Sequence, residues 1–152
     1  MLVYRIGRTK YARDLEGTGA RLFGGRWNNK QIGCVYTSES RALALLEYTV
    51  NVNIDDIPRA LSITTIEIPD NSMYVCSERE LPGDWRLMPA PASTKEFGSQ
   101  MLLAAKEAVI KVPSTVVPQE YNFLLNTLYS SSNRFEIVSV SDFIFDVRIK
   151  LS

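Results

Sequence analysis

Helical apolar spacing is confined to two stretches of this chain, and the strand-like runs around them follow one another without a helix between each pair. A parallel βαβ repeat needs a crossover helix after every strand. The order here therefore points to an α+β fold, with short mixed or antiparallel strands and a few helices. Residues 2–6 read as the first strand, with Arg5 near its end. A second covers residues 34–37, where alternation sends Cys34 and Tyr36 to one face and Val35 and Thr37 to the other. The Ile- and Thr-rich run 61–68 reads as a third, closed by Pro69-Asp70-Asn71. Residues 109–112 form a fourth, ended by Pro113 and Ser114, and 135–140 with 143–149 read as a closing antiparallel pair.

The first helix covers residues 41–50, capped by Ser38 or Ser40, with Glu39 where the helix dipole favours an anion. Leu43, Leu46 and Val50 make its apolar stripe, and Glu47 falls about 40° from Leu43, at the edge of that stripe. The second starts at Ser93-Thr94-Lys95-Glu96, which matches a capping box, and carries Met101, Leu102, Ala105, Ala108 and Val109 as its stripe. Gly98 inside it weakens the helix. Between residues 7 and 30 the glycines at 7, 17, 19, 24 and 25 punctuate a long irregular segment. Residues 77–91 read as a second loop, interrupted by Pro82, Pro89 and Pro91 and anchored by Trp85.

At 152 residues the chain fits one domain, residues 1–152, large enough to need no disulfide staples. Seventeen basic residues cancel seventeen acidic ones, with no block of five like charges, so a stripe tracking the phosphates of nucleic acid is not expected. No apolar run approaches the length of a membrane span and no signal-peptide pattern opens the chain, which reads as cytoplasmic. Cys34 and Cys76 lie in apolar or strand-like surroundings, as buried thiols do, and form no metal motif. The absence of histidine excludes Ser-His-Asp and Cys-His nucleophile pairs and the usual zinc sites. Catalysis, if any, falls to Arg, Glu, Asp, Tyr, Ser or Lys.

Gly24-Gly25-Arg26-Trp27-Asn28 and Glu47, 21 positions after Arg26, place one fixed cation and one half-buried carboxylate in consecutive elements. Taken singly, each is ordinary: an ion pair, a tight glycine turn, a core tyrosine at Tyr36, a turn serine at Ser114. Arg5 suits a salt bridge as well as a ligand, and Asn122 suits a bond to its own backbone. The glycines fit neither the Walker nor the Rossmann fingerprint.

In order, however, Gly-Gly-Arg-Trp-Asn, then Val35-Tyr36-Thr37 followed by Ala42-Leu43-Ala44-Leu45-Leu46-Glu47, then Val112-Pro113-Ser114, resemble the RES-domain toxins of bacterial toxin-antitoxin pairs. The resemblance implies an ADP-ribosyltransferase-like fold, NAD as substrate rather than cofactor, and cleavage of the nicotinamide-ribose bond. It implies a cognate Xre-type antitoxin that handles DNA in the toxin's place. It carries catalytic roles onto Arg26, Tyr36, Glu47 and Ser114, and ligand contacts onto Arg5, Gly24, Gly25, Arg26 and Asn122. No metal site is implied. The family often has a histidine after its Asn-containing segment; Leu128-Tyr129 stands there in this chain, and no role is assigned to it.

On this reading Glu47 stabilises a ribosyl cation, Arg26 and Arg5 hold phosphate, and the glycine amides approach the same anion. Tyr36 stacks on or orients the nicotinamide, while Ser114 either binds ribose or orients Glu47. The acceptor of the ribosyl group is water or phosphate. Two alternatives remain: transfer of ADP-ribose to a protein recognised by the 77–91 loop, and an inactive interaction module.

Overall fold

The computed structural model describes residues 1–129 and 135–150. Its frame is a seven-stranded sheet built from β1 (Leu2–Arg8), β2 (Cys34–Ser38), β3 (Leu61–Glu67), β4 (Met73–Val75), β5 (Val109–Pro113), β6 (Tyr121–Asn126) and β7 (Glu136–Phe143). The strands lie in the order β4-β5-β6-β2-β1-β3-β7. Only β4 and β5 run parallel. Among the described residues three α-helices accompany the sheet: α1 (Thr18–Phe23), α2 (Arg41–Asn51) and α3 (Ala92–Ala104). The fold is α+β, as the order of short strands requires.

Alternation along the strands divides the core in two. Cys34, Ile110, Val112 and Leu124 point into one layer with Trp27, Trp85 and Leu102, while Val3, Val35, Ile66, Val109, Phe123 and Leu125 point into the other. This is the period-2 pattern of a sheet covered on both faces. Both cysteines are buried and unpaired, and burial pushes each thiol up to about 12. Both thiols therefore stay protonated at pH 8. A thiol reagent at that pH is expected to titrate neither cysteine in the native protein and both in denaturant; rapid native reaction would contradict the burial.

Several elements differ from their expectations. The 7–30 segment is not wholly irregular, because α1 forms inside it between Gly17 (φ +69°) and Gly24 (φ +72°). Gly17 caps the start and Gly24 the end, each at a positive φ that favours glycine, so they act as boundaries. Strands β4 and β6 carried no recognised signal: β4 is three residues long, and β6 reads as mixed polar and apolar residues, Tyr-Asn-Phe-Leu-Leu-Asn.

The α3 start is Ala92 behind Pro91, with no side-chain cap, because Ser93 donates instead to Asp84 and Thr94 to the Pro91 carbonyl. A capping box is present elsewhere, at Ser77 and Glu80. Helix α3 ends at Ala104, since Ala105 turns left-handed (φ 49°) and releases Ala108 and Val109 to the other core layer. The closing pair is a single strand, β7, laid against β3 with a register shift at Thr65/Ile66. Beyond it Phe145 is buried edge-on against Tyr48 at 6.3 Å, which draws the chain off the sheet before a second strand can form.

Trp85 is buried, as the 77–91 loop reading requires, and its ring lies 6.3 Å from that of Trp27. No helix among the described residues is long and apolar enough to cross a membrane.

Candidate active site

A cleft of about 430 Å³ opens over the β1 and β2 region of the sheet, with α1 and α2 along its walls. Helix α2 is capped by Ser40, whose side chain accepts from the Leu43 amide, a cap worth about 1 kcal/mol. Its buried residues are Leu43, Ala44 and Thr49, whereas Leu46 is 37% and Val50 50% exposed. The buried stripe is therefore rotated from Leu43-Leu46-Val50, and the face carrying Ala44, Glu47, Tyr48 and Asn51 lines the cleft. Glu47 sits within that face, not at its edge. The small side chain of Ala44, one turn earlier, leaves it room.

Three strands bring the partners of Glu47 together. Register places Asn122 on β6 between Ser38 on β2 and Val112 on β5, and Ser114 follows directly after β5. Glu47 Oε1 accepts from Ser114 Oγ at 2.6 Å and from Asn122 Nδ2 at 2.7 Å. Ser114 has no exposed surface, and its Oγ accepts from the Val116 and Val117 amides at 3.0 and 3.1 Å. With both lone pairs occupied, the hydroxyl has one proton left, and it goes to Glu47. The Ser114 proton is thus spent on Glu47, and Ser114 is not among the residues lining the cleft. Oε2 has no partner among the described hydrogen bonds, and Glu47 lines the cleft. The result is a carboxylate held on one oxygen and available on the other.

Tyr36 connects the cleft to the Gly-Gly-Arg-Trp-Asn turn. Its hydroxyl donates to Asn28 Oδ1 at 2.6 Å and accepts from the Trp27 amide at 3.0 Å. Burial raises its pKa well above 10, so the hydroxyl stays protonated and keeps donating across the usual pH range. Asn28, wholly buried, donates in turn to the carbonyls of Ala20, Asn29 and Ile32. Asn28 belongs to the Gly-Gly-Arg-Trp-Asn stretch, and its part in the site, holding the Tyr36 hydroxyl, shows only in the fold.

The glycines serve this packing. A Cβ on Gly25 would lie 2.6 Å from the Tyr36 hydroxyl. The Gly24 and Gly25 amides already donate to the carbonyls of Ala20 and Asn28, so neither glycine offers an amide to an anion here, and neither lines the cleft.

The two arginines are placed differently. Arg5 lines the cleft, with its guanidinium donating to the carbonyls of Asp14 (2.8 Å), Ala12 (2.9 Å) and Tyr11 (3.3 Å). Burial lowers its pKa, against a smaller opposing effect from Asp14. Arg26 does not line the cleft. It donates to the Trp85 and Leu87 carbonyls at 2.8 and 2.9 Å, touches the Met88 sulfur, and forms no ion pair with Glu47. Burial lowers its pKa too, opposed by the charge of Glu47 and then by Tyr36. Arg26 is near enough to feel the carboxylate while it staples the 77–91 loop. Among the described residues no group of acidic or cysteine side chains is placed to hold a metal.

A covered mixed sheet with a carboxylate-centred cleft defines a class of small α+β protein in which a fixed acid faces an open site. The model of the RES domain matches residues 2–146, and the chain belongs to that family. It is 37% identical over 145 residues to the Prs ADP-ribosylating toxin of Sphingobium sp. (strain YBL2), covering 93% of this chain and 90% of that protein. It is 36% identical over 152 residues to Toxin Res of Yersinia enterocolitica, covering 99% of this chain and all of that one. A solved chain of the M. tuberculosis MbcT-MbcA toxin-antitoxin complex superposes with a TM-score of 0.76 over 93% of this chain and 83% of that one; at 17% identity it supports the fold alone.

Proposed function

We propose that the chain is the toxin of a toxin-antitoxin pair and that it cleaves the nicotinamide-ribose bond of NAD in the cytoplasm. The observation that carries this reading is Glu47, held on Oε1 by Ser114 and Asn122 with Oε2 left to the cleft. Nicotinamide departs as a neutral molecule, so the reaction needs no acid to protonate it. The barrier lies in the oxocarbenium-like ribosyl cation. A preorganised carboxylate stabilises that charge without moving. A chain with no histidine suits such a reaction.

That Arg5 lines the cleft supports a role for its charge at the pyrophosphate. Arg26 reaches the same anion by exchanging its two loop carbonyls for phosphate oxygens, a better match to its planar fork. The acceptor of the ribosyl group is water or inorganic phosphate. The name of the Sphingobium relative favours one alternative, transfer of ADP-ribose to a protein. Its partner in the cell is an antitoxin of the Xre type.

The test incubates purified protein with NAD and follows nicotinamide, with and without phosphate, and with candidate acceptor proteins examined for added mass. Release of nicotinamide is expected without phosphate if water is the acceptor, and only with phosphate if phosphate is. Arg26→Ala is expected to raise KM by about tenfold, since one charge-assisted phosphate contact is worth roughly 1.4 kcal/mol. If the wild type released no nicotinamide with any acceptor, the reading would be wrong.

A further inference from the structure

The hydrogen bonds that hold Glu47 do not end at Asn122. Ser38, the last residue of β2, is 3% exposed, and its Oγ donates to Asn122 Oδ1 at 2.7 Å. The β2–β6 register sets these two residues opposite each other. Asn122 Nδ2 then donates to Glu47 Oε1 at 2.7 Å. Three residues from three elements thus form one directional chain, each hydrogen bond pointing toward the carboxylate.

The direction has a physical cause. Turned over, the Asn122 amide would set its carbonyl oxygen against the carboxylate, acceptor facing acceptor. The carboxylate therefore selects the amide's orientation, and in that orientation Oδ1 needs a donor. Ser38 supplies it. An amide held at one end still rotates about its last torsion; held at both ends it does not. Donation into Oδ1 also polarises the amide and strengthens the N–H that Glu47 receives.

Ser40 performs the helix capping for which Ser38 was the other candidate, so the Ser38 hydroxyl is free of that duty. Its proton is committed to Asn122, so although Ser38 lies in the cleft lining, its oxygen is left only as an acceptor.

We propose that Ser38 is a positioning residue for this site: it fixes the Asn122 amide on Glu47 Oε1, so that Oε2 is the oxygen presented to the substrate. The proposal rests on the reading of Glu47 as the group that stabilises the ribosyl cation.

The test uses Ser38→Ala, Ser38→Thr, Asn122→Ala and the Ser38→Ala/Asn122→Ala pair. Ser38→Ala is expected to lower kcat for nicotinamide release roughly tenfold with KM within about twofold, as for a residue acting on the transition state. Ser38→Thr keeps the hydroxyl and the strand and is expected to retain most of the rate. In the Asn122→Ala background, Ser38→Ala is expected to cost less than about twofold more, because coupled residues are not additive. Equal loss in the Thr and Ala variants, or a full additional loss in the pair, would overturn the proposal.

A second readout needs no substrate. In the ligand-free protein, the side-chain amide signals of Asn122 in a 15N-labelled sample are expected to shift and to exchange faster with water in Ser38→Ala. Unchanged signals would show that Ser38 does not hold the amide. A wild type that released no nicotinamide would defeat the proposed reaction and leave this readout to judge Ser38 alone.

Discussion

Glu47→Gln is expected to lower nicotinamide release on the order of a thousandfold while leaving the protein folded, the scale seen when one preorganised electrostatic group is removed. Glutamine has nearly the same shape, and its carbonyl oxygen can accept from Ser114 and Asn122 as Oε1 does. The change falls on the other atom. Where Oε2 carries negative charge into the cleft, the variant presents an NH2 group, a donor aimed at a centre that becomes positive. Single-turnover nicotinamide release with a thermal melt of the same sample separates the two effects. A variant that kept more than about a tenth of the rate would remove Glu47 from the chemistry.

The second large effect concerns stability. Gly98→Ala in an ordinary exposed helix would stabilise by about 1 kcal/mol. In this protein the sign is expected to reverse. A Cβ on Gly98 would lie 2.0 Å from the Trp27 carbonyl oxygen and within 2.9 Å of the Trp27 Cα. Both contacts are backbone, so α3 or the Gly-Gly-Arg-Trp-Asn turn has to move as a unit. The expected cost is about 3 kcal/mol, or roughly 10 °C in Tm for a domain of this size. The Trp27 amide donates to Tyr36, so the displacement is also expected to lower activity. Denaturant unfolding beside an activity assay checks both. A variant as stable as the parent would mean that helix and turn approach less closely than described.

Gly98 also shows what could and could not be read from the sequence. Its helical neighbourhood was legible, because Met101 and Leu102 keep a helical period; its purpose was not, because Trp27 lies 71 positions earlier. The same division runs through the molecule. Strands β1, β2, β3 and β5 announce themselves by β-branched residues and alternation. Strand β6 is hidden, since its stability comes from pairing on both sides with β2 and β5. Yet β6 carries Asn122.

The resemblance to a family named the residues around the carboxylate, but only the fold separates their tasks. Glu47, Ser114 and Asn122 converge within hydrogen-bonding distance. Arg26, the proposed phosphate ligand, holds carbonyls of the 77–91 loop in the ligand-free protein. Gly25 was expected to make room for an anion and makes room for a tyrosine hydroxyl. Ser38 and Asn28 were missed because their value depends on which strand or turn lies opposite, and periodicity along one element carries no record of that.

The seam between β2 and β6 joins residues 34–38 to residues 122–126. It follows that the site has an order of assembly during synthesis. A chain released or paused before residue 114 already contains Glu47 but has neither donor that fixes it. The carboxylate is written 67 codons before Ser114 and 75 before Asn122, the two groups that set it. Termination before residue 114 therefore yields fragments in which this acid is unset, and the finished geometry appears only once Asn122 has left the ribosome.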